Sequence, residues 1–274
     1  MTDWRTAPLE AAIWVCVDCE TTGLDVGEGH RVCELAAVKG TPDGPVEELS
    51  SLVNPQRPLD PGAARVSGLS EAQLAGAPLF SELAAEAEAF LAGAVLVAHN
   101  APFDVGFLES EFGRVGLQLP AAPIVDTTVI AQSILGLPVR NLAGVARALR
   151  LPSPPTHRAL DDARATREVL LRGLSRLAAQ GAATVGDLMA ELFPRVPSGL
   201  PFVDDPLPVL REALAEGGDV RLTYLGASGR SERVVRPIRV EESRGLKLDA
   251  YCRERRAPRS FRVDRIAAIE LLPR

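Results

Sequence analysis

Residues 13–24 read Ile-Trp-Val-Cys-Val-Asp-Cys-Glu-Thr-Thr-Gly-Leu, an apolar run that leads into two acids and a glycine turn. A short apolar run of this kind indicates a buried strand. Residues i and i+2 of a strand point the same way, about 6.6 to 6.8 Å apart. Asp18 and Glu20 are therefore expected to share one face at the end of this strand, with Cys19 on the opposite face.

Two further acids and a histidine are associated with predicted helices. Pro102 suits the first turn of a helix, so Asp104 should lie near that helix's N-terminus, at the mouth of the sheet where ligands gather. Asp162 lies early in a helix predicted over residues 158–178. The prolines just before it place His157 in the loop that leads into this helix.

Four carboxylates aimed at one point repel one another unless cations hold them together. Two divalent ions would cancel the formal charge of Asp18, Glu20, Asp104 and Asp162. Enzymes that catalyse in-line displacement at phosphorus commonly use a pair of such ions. A histidine exchanges protons near neutral pH, so His157 is suited to take a proton from an attacking water. These residues predict a metal-dependent phosphodiesterase.

Each of these features alone has a simpler explanation. A lone D-x-E is usually a solvated strand edge, Asp104 could be a first-turn acid favoured by the helix dipole, and a loop histidine is usually solvated. Together they make the functional interpretation the stronger one. Four nearby residues are given lesser roles. Asp161 is expected to face solvent, and Asp126 to have a supporting role at most. His99 is expected to be a hydrogen-bonded structural histidine, and His30 a loop residue.

The predicted elements indicate an α/β fold. Three early strands are followed by alternating helices and strands, which implies a mixed sheet with helices on both faces. Strands are expected at 13–18, 32–39, 46–53, 94–98 and 123–125, and helices from 81 and at 103–113, 127–135, 141–149 and 158–178.

Residues 11–178 resemble the DnaQ-like family of 3′–5′ exonucleases, in its histidine-containing DEDD branch. The motifs D-x-E-T-T-G-L at 18–24, A-H-N-A-x-F-D at 98–104 and H-x-A-x-x-D at 157–162 match in the right order. The resemblance implies a ribonuclease-H-like mixed sheet with flanking helices. It also implies release of nucleoside 5′-monophosphates from the 3′ ends of single-stranded DNA, or of RNA.

The resemblance assigns roles to particular residues. Two Mg²⁺ or Mn²⁺ ions would be held by the four acids, and His157 would be the general base. The pocket for the 3′-terminal nucleotide would be lined by Thr22, Leu24, Asn100 and Phe103. Leu24 and Phe103 offer apolar surface to a base, a contact that tolerates any sequence. The turn at Gly23 leaves room for a nucleotide to approach the backbone.

The rest of the chain is predicted to form a second module. Residues 181–206 are rich in Gly and Pro and read as a linker with one short helix near 184–192. Beyond a helical segment at 207–216, five alternating stretches separated by Gly-rich turns predict a small β-barrel. Residues 219–272 contain Val-Arg-Leu-Thr-Tyr-Leu-Gly at 220–226 and Arg-Ser-Phe-Arg-Val-Asp-Arg-Ile at 259–266, and this segment resembles a WYL domain, an Sm/SH3-like barrel. The WYL-like domain is assigned to residues 207–274 and the exonuclease domain to residues 1–180.

Charge divides the chain in the same way. Residues 1–216 carry 16 basic and 28 acidic side chains, a net charge of −12, whereas residues 217–274 carry 14 and 8, a net charge of +6. At the positions that name the WYL family the chain has Leu246-Lys247-Leu248, without the Trp and Tyr. The barrel's arginines could still form a patch that binds phosphate, made of Arg236, Arg253, Arg259 and Arg262. The alternative, equally supported, is a solvated charged face with Arg265 paired to a local acid.

Composition excludes other classes of protein. No apolar stretch approaches the roughly 20 residues that span a bilayer, and the N-terminus lacks the basic and apolar regions of a secretory signal. A cytoplasmic protein without a membrane partner is expected. The four cysteines are expected to be reduced core thiols rather than zinc ligands. A rival function is a nucleic-acid-sensing regulator that uses the nuclease fold mainly as a binding scaffold.

Overall fold

Five strands from the first half of the chain form one mixed sheet. They are β1 (Trp14–Thr21), β2 (Val32–Gly40), β3 (Val46–Leu52), β4 (Val95–Ala98) and β5 (Ile124–Asp126). In this computed structural model, which describes residues 4–120, 122–192, 206–226, 229–242 and 245–273, their order is β3-β2-β1-β4-β5. The first three form an antiparallel meander, and β4 and β5 run parallel to β1. The predicted mixed sheet is confirmed.

Helices cover both faces of this sheet. They are α1 (Pro61–Ser67), α2 (Glu71–Ala75), α3 (Phe80–Leu91), α4 (Pro102–Arg114), α5 (Thr127–Val129), which continues as a π-helix over Ile130–Ile134, α6 (Leu142–Leu149), α7 (Ala159–Ala178) and α8 (Val185–Leu192). One core contains Phe80 and Phe107, and the core on the other face contains Trp14 and Leu170. Because β1 is buried on both faces, its residues are apolar from Trp14 to Val17, before Asp18 and Glu20.

Two short helices, α1 and α2, were not among the predicted elements. Their boundary signals are nevertheless present in the sequence. Pro61 occupies the first turn of α1, Gly68 ends it in a left-handed conformation, and Ser70 and Gln73 form a capping box at the start of α2. Helices of 7 and 5 residues are too short for an apolar periodicity to show.

The short helix predicted within the linker is part of the first module. It is present as α8, and Val185 and Leu188 on it are fully buried in the same core as Trp14. The N–H of Leu9 also donates to the carbonyl of Ala183 at 2.9 Å. The first module therefore extends to Leu192 instead of ending near 180, and the remainder of the predicted linker, 193–205, lies outside the described residues.

The C-terminal module is a curled antiparallel sheet. Its elements are α9 (Leu207–Glu216), β6 (Val220–Gly226), β7 (Gly229–Glu242), β8 (Leu246–Cys252), β9 (Ala257–Arg262) and β10 (Ile266–Leu271), and the strand order is β10-β6-β7-β8-β9. Only a three-residue 3-10 turn joins the two edge strands, β9 and β10. Four flat inter-strand steps would separate them by about 19 Å, but four Cα steps reach at most about 14 Å. The sheet must curl, which confirms a barrel-like module.

The two modules share a buried interface. Pro237 lies beside a bulge in β7, consistent with the missing N–H of proline. Ile238 at this bulge and Tyr251 on β8 belong to the hydrophobic core of the first module. A side chain at Gly106 would collide with Pro258, so the glycine lets α4 approach the barrel closely. The barrel is therefore packed against the first module as part of one folded unit.

A buried ion cluster crosses this interface. Arg236 is 2% exposed, and its Nη1 donates to Oε1 of Glu109 at 2.6 Å. Arg253 donates to the other carboxylate oxygen of Glu109 at 2.5 Å and pairs with Asp219 at 3.0 Å. Burying a charge is costly unless it is paired. Glu109 therefore neutralises arginine charge from strand β7 and from the β8–β9 turn of the barrel.

These contacts correct the predicted phosphate patch. Arg236 is enclosed in the interface, Arg253 is neutralised by two acids, and Arg262 pairs with its neighbour Asp264 at 2.6 Å. Among the described residues, Arg259 is the only one of the four predicted arginines that is exposed without an ion pair. The four side chains therefore do not form one phosphate-binding surface.

Replacing Glu109 with leucine is expected to lower the free energy of unfolding by about 3–5 kcal/mol, because the buried charge of Arg236 loses its partner. Equilibrium urea unfolding measures the change. Glu48→Leu is the matched control, since its pair with Arg164 at 2.7 Å leaves the two side chains 31% and 44% exposed. Such surface pairs contribute about 0–1 kcal/mol. Equal losses in the two variants would contradict the role given to Glu109.

Two expectations about the whole chain concern its cysteines and the membrane. Cys16, Cys19, Cys33 and Cys252 are free and buried, and burial raises the pKa of the Cys16 and Cys33 thiols to about 12. Thiols of this kind are unreactive core residues. Within the described ranges, every helix is too short or too polar to cross a bilayer.

Candidate active site

The five residues predicted to carry the chemistry line one cleft. The cleft has a volume of about 600 Å³, and its walls are the end of β1, helix α1, the segment after β4 and the start of α7. It lies at the carboxyl ends of the parallel strands β1 and β4, where ligands of open α/β sheets bind. The fold thus brings together side chains separated by up to 144 positions: Asp18, Glu20, Asp104, His157 and Asp162.

Backbone amides orient the two most buried acids. Asp104 is 3% exposed, and its Oδ1 accepts the N–H of Cys19 at 2.9 Å. This bond ties the first turn of α4 to the strand that carries the first two acids. Asp162 is 7% exposed, and its Oδ1 accepts the N–H groups of Thr156 at 2.8 Å and His157 at 3.2 Å. Each acid is therefore held in a defined position before any ligand binds.

His157 lies in a constrained loop at the mouth of the cleft. Its φ is 61°, in the left-handed region that few residues other than glycine adopt. The next residue, Arg158, donates two hydrogen bonds to the buried carboxylate of Glu34 on β2, from Nη2 to Oε1 at 2.7 Å and from Nε to Oε2 at 3.0 Å. The Arg158–Glu34 pair, which the sequence did not single out, anchors the loop beside the histidine.

Burial and mutual repulsion keep protons on the acids of the cleft. Burial is the largest cause that raises the pKa of Asp18 well above its usual value, and the charges of Asp104 and Asp162 add to it. Burial likewise raises the pKa of Glu20 to about 7, that of Asp104 to about 8, and that of Asp162. Acids that resist ionisation together in one cleft indicate a site for cations.

The side chains fit divalent metal ions. Ligand atoms of Glu20, His157 and Asp162 lie within 4.8 Å of one another. Asp18 and Asp104 contribute further carboxylate oxygens to the same cleft. Hard oxygen donors of this kind suit Mg²⁺ and Mn²⁺.

The metal-free protein is expected to lose stability as the pH rises from about 4 to about 8. Glu20 and Asp104 have raised pKa values in the folded state, so the folded protein holds protons that the unfolded chain releases near pH 4. The stability that comes from protonated Glu20 and Asp104 is fully present below about pH 4, and it is lost as the pH rises through about 7 to 8. Thermal melts in EDTA should show this fall. Added Mg²⁺ or Mn²⁺ should raise the Tm more at pH 8 than at pH 5.5, and equal shifts would contradict a metal site built from these acids.

An apolar wall faces the acids. Leu24 is 85% exposed and Val66 is 52% exposed, and both line the cleft together with the half-buried Phe103. Exposed apolar side chains gathered in one cleft indicate a surface that a ligand covers. Leu24, Asn100 and Phe103 all line the cleft, as the resemblance predicts.

The position of Thr22 differs from the prediction. Its side chain is fully buried, and its hydroxyl lies 3.1 Å from Nδ1 of His30. The ring of His30, expected to be a simple loop residue, packs over Gly23, so the space at this glycine is taken by the histidine. A pairing irregularity between Glu20 and Thr21 breaks the strand alternation, and Thr21 lines the cleft instead.

Asp126, the acid given a supporting role, joins the barrel to a residue that lines the cleft. Oδ1 of Asp126 accepts the N–H of Asn100 at 3.0 Å, and its Oδ2 accepts Nη1 of Arg239 at 2.8 Å. Arg239 is 8% exposed and also pairs with Asp249 at 2.8 Å. A barrel arginine thus helps to hold the segment that carries Asn100. The sequence gives no local signal for this contact, since Asp126 and Arg239 are 113 positions apart.

His99 and Asp161 have the structural roles expected of them. The ring nitrogens of His99 lie 2.8 Å from Oγ1 of Thr127 and 2.6 Å from the carbonyl oxygen of Arg140. Burial lowers the pKa of His99. The side chain of Asp161 is 42% exposed and accepts the hydroxyl of Thr156 at 2.7 Å.

Comparison with known proteins assigns both modules. The family model described as Exonuclease (RNase T) matches residues 15–170, more than half of the chain. The chain belongs to this exonuclease family. The WYL-domain model matches residues 205–271 of the chain. The resemblances to a DnaQ-like exonuclease and to a WYL domain are thereby confirmed.

Several relatives cover the exonuclease domain. DNA polymerase III subunit epsilon of Treponema pallidum is 34% identical over 181 residues, which are 65% of this chain and 84% of that protein. A DNA polymerase III subunit epsilon-like protein of Rhodobacter capsulatus is 36% identical over 190 residues, 68% of this chain and 27% of that protein. The 3′-5′ exonuclease DinG of Bacillus subtilis is 30% identical over 165 residues, which are 60% of this chain and 18% of that protein. The chain spans less than a third of the length of the last two proteins.

Solved structures share the fold. E. coli exonuclease I, solved with a dT13 oligonucleotide, superimposes with a TM-score of 0.58 at 15% identity, over 88% of this chain and 55% of that one. A 3′-exonuclease that recognises a histone mRNA stem-loop superimposes with a TM-score of 0.50 at 14% identity, over 60% and 81%. Because 88% of this chain is more than its first 192 residues, the fold shared with exonuclease I extends into the barrel.

Proposed function

We propose that this protein is a metal-dependent 3′–5′ exonuclease that releases nucleoside 5′-monophosphates from the 3′ ends of single-stranded DNA, with RNA as a second substrate. The observation that carries the proposal is the cleft in which four carboxylates from three elements meet His157. Burial and mutual repulsion raise the pKa of these acids. A protein that only bound nucleic acid would have no use for such a cluster.

The residues of the cleft divide the chemistry among them. Asp18, Glu20, Asp104 and Asp162 would hold two Mg²⁺ or Mn²⁺ ions, which would supply charge stabilisation at the scissile phosphate. His157 accepts the proton of the attacking water. Its constrained loop keeps the ring at the mouth of the cleft, within reach of the same acids. General base catalysis of this kind typically contributes about 10²–10⁴-fold.

The apolar wall is proposed to hold the terminal base. Leu24, Val66 and Phe103 offer flat or branched apolar surface, which binds any base because every base has an apolar face. Asn100 lines the same cleft. DNA is placed before RNA because the relatives from Treponema and Rhodobacter are named for DNA polymerase III.

Digestion of oligonucleotides labelled at either end tests the proposal. A 5′-labelled strand should shorten stepwise, and a 3′-labelled strand should release its label at once, with Mg²⁺ or Mn²⁺ and not with EDTA. DNA and RNA of the same sequence differ only at the 2′-hydroxyl and the thymine methyl, so their rates rank the substrates. No cleavage with either metal, together with binding that survives EDTA and falls with salt, would favour the nucleic-acid-sensing regulator.

A further inference from the structure

A second groove lies between the two modules, outside the catalytic cleft. Its volume is about 420 Å³, and its walls are the turn at residues 26–29, the C-terminal half of α4 and the β8–β9 turn. Four arginines line it: Arg114 from α4, and Arg253, Arg255 and Arg256 from the barrel. The barrel is therefore required to complete the groove.

Three of these arginines carry uncompensated charge. Arg253 is neutralised by its two acid partners. Arg114, Arg255 and Arg256 are exposed and have no ion pair within the part of the chain that the structure describes. The protein as a whole has a net charge of −6, so this local excess of positive charge runs against the balance of the chain. Positive charges that converge on a groove attract an anion.

The rest of the lining suits a sugar–phosphate chain. Gly27 and Gly29 have no side chain to narrow the rim, and Tyr251 also lines the groove. The acid between the two glycines, Glu28, is not among the residues that line the groove. A groove with arginines along its wall and glycines at its rim fits the phosphates of a flexible polymer.

The groove lies close to the catalytic cleft. Ten residues of α4 separate Asp104 in the cleft from Arg114 in the groove, a distance of about 15 Å along the helix. Three residues separate Leu24 from Gly27, at most about 10 Å. Nucleotides of one strand in duplex DNA are about 3.4 Å apart, and an extended single strand spans more per nucleotide. The groove is therefore at most about five nucleotides away from a strand end held in the cleft.

We propose that this interdomain groove binds the phosphodiester backbone of the substrate strand, on the 5′ side of the nucleotide held in the cleft. The proposal rests on the proposed function, because the strand must enter the cleft by its 3′ end. Arg114, Arg255 and Arg256 contact phosphates, and the barrel thereby contributes to the binding of long strands. A strand too short to leave the cleft does not reach the groove.

Fluorescence anisotropy with dT20 and dT3 tests the groove. The variant Arg114→Gln/Arg255→Gln/Arg256→Gln is compared with the matched control Arg147→Gln/Arg172→Gln/Arg176→Gln, which removes three exposed arginines from α6 and α7. Both are made in the Asp18→Ala background to prevent cleavage. The groove variant should lose salt dependence for dT20 by about two units of slope, at about 0.7 per contact. When the salt is raised from 50 to 200 mM, the groove variant should therefore lose roughly 20-fold less affinity for dT20 than the control.

The outcomes separate the groove from the proposed function. The control should keep the wild-type ratio of dT20 to dT3 affinity, and the groove variant should lose it, with unchanged thermal melting in both. Equal salt slopes in the two variants would overturn the groove proposal. Loss of dTMP or pyrophosphate binding in the groove variant, with dT20 binding retained, would also overturn it and assign the groove to a free nucleotide. A wild-type protein that cleaves nothing would reject the proposed function, while the binding comparison would still decide the groove.

Discussion

Replacing Asp18 with alanine is expected to reduce the rate of 3′-end cleavage by about a thousandfold or more. Burial raises the pKa of Asp18, and the charges of four other carboxylates raise it further, so Asp18 lies among the acids of the cluster. Metal ions typically supply several kcal/mol of charge stabilisation, and about 4 kcal/mol corresponds to a factor of about 10³. Single-turnover cleavage of a 5′-labelled oligonucleotide at saturating Mg²⁺ measures the loss.

Asp161→Ala is the matched control for Asp18→Ala. It removes an acid that is 42% exposed and adjacent in sequence to Asp162, and the rate should stay close to that of the wild type. Melting in EDTA at pH 8 gives a second readout. Asp18→Ala should melt at a higher temperature than the wild type there, because a repelled buried acid has been removed. A variant that is inactive because it is unfolded would melt lower, and an active Asp18→Ala variant would contradict the assignment.

Replacing His157 with asparagine is expected to lower kcat by about 10²–10⁴-fold, the usual contribution of a general base. Asparagine is chosen because it tolerates the left-handed backbone of this position, where φ is 61°. The amide cannot accept the proton of the attacking water. Substrate affinity should change much less than kcat, since the acids and the apolar wall are intact.

His99→Asn tests whether the effect is specific to His157. Both histidines line the cleft, but the ring nitrogens of His99 are engaged by Thr127 and by the carbonyl of Arg140. His99→Asn should therefore act mainly on KM and on stability, through the segment that carries Asn100. Equal losses of kcat in the two variants, or a His157→Asn variant with more than about a tenth of the wild-type kcat, would reject His157 as the base.

The cleft was predictable because its determinants are local. The alternation of β1 places Asp18 and Glu20 together, Pro102 marks the helix that presents Asp104, and the prolines before His157 place it outside α7. Each of these inferences uses fewer than ten consecutive residues. The exception is Thr22, because an irregularity at the end of β1 reverses the alternation, and periodicity cannot show a single bulge.

The arginines of the barrel were the least predictable residues. Arg236 reads as a surface charge in its own strand, yet it is buried against Glu109, 127 positions away. Arg239 was not singled out, yet it pairs with Asp126 beside the cleft. Arg114, Arg255 and Arg256 are unremarkable in sequence and form one groove only because α4 packs against the β8–β9 turn.

The sequence by itself determined the type of chemistry, the two modules and the strands and longer helices, because motif spacing, charge balance and apolar periodicity are properties of short stretches of chain. Only the tertiary structure decided which charges are neutralised and which are free to bind a ligand. Ion pairing and desolvation depend on groups that meet through space, often more than 100 positions apart. Whether a charged residue forms a buried ion pair or part of a binding site therefore depends on the neighbours that the fold places around it.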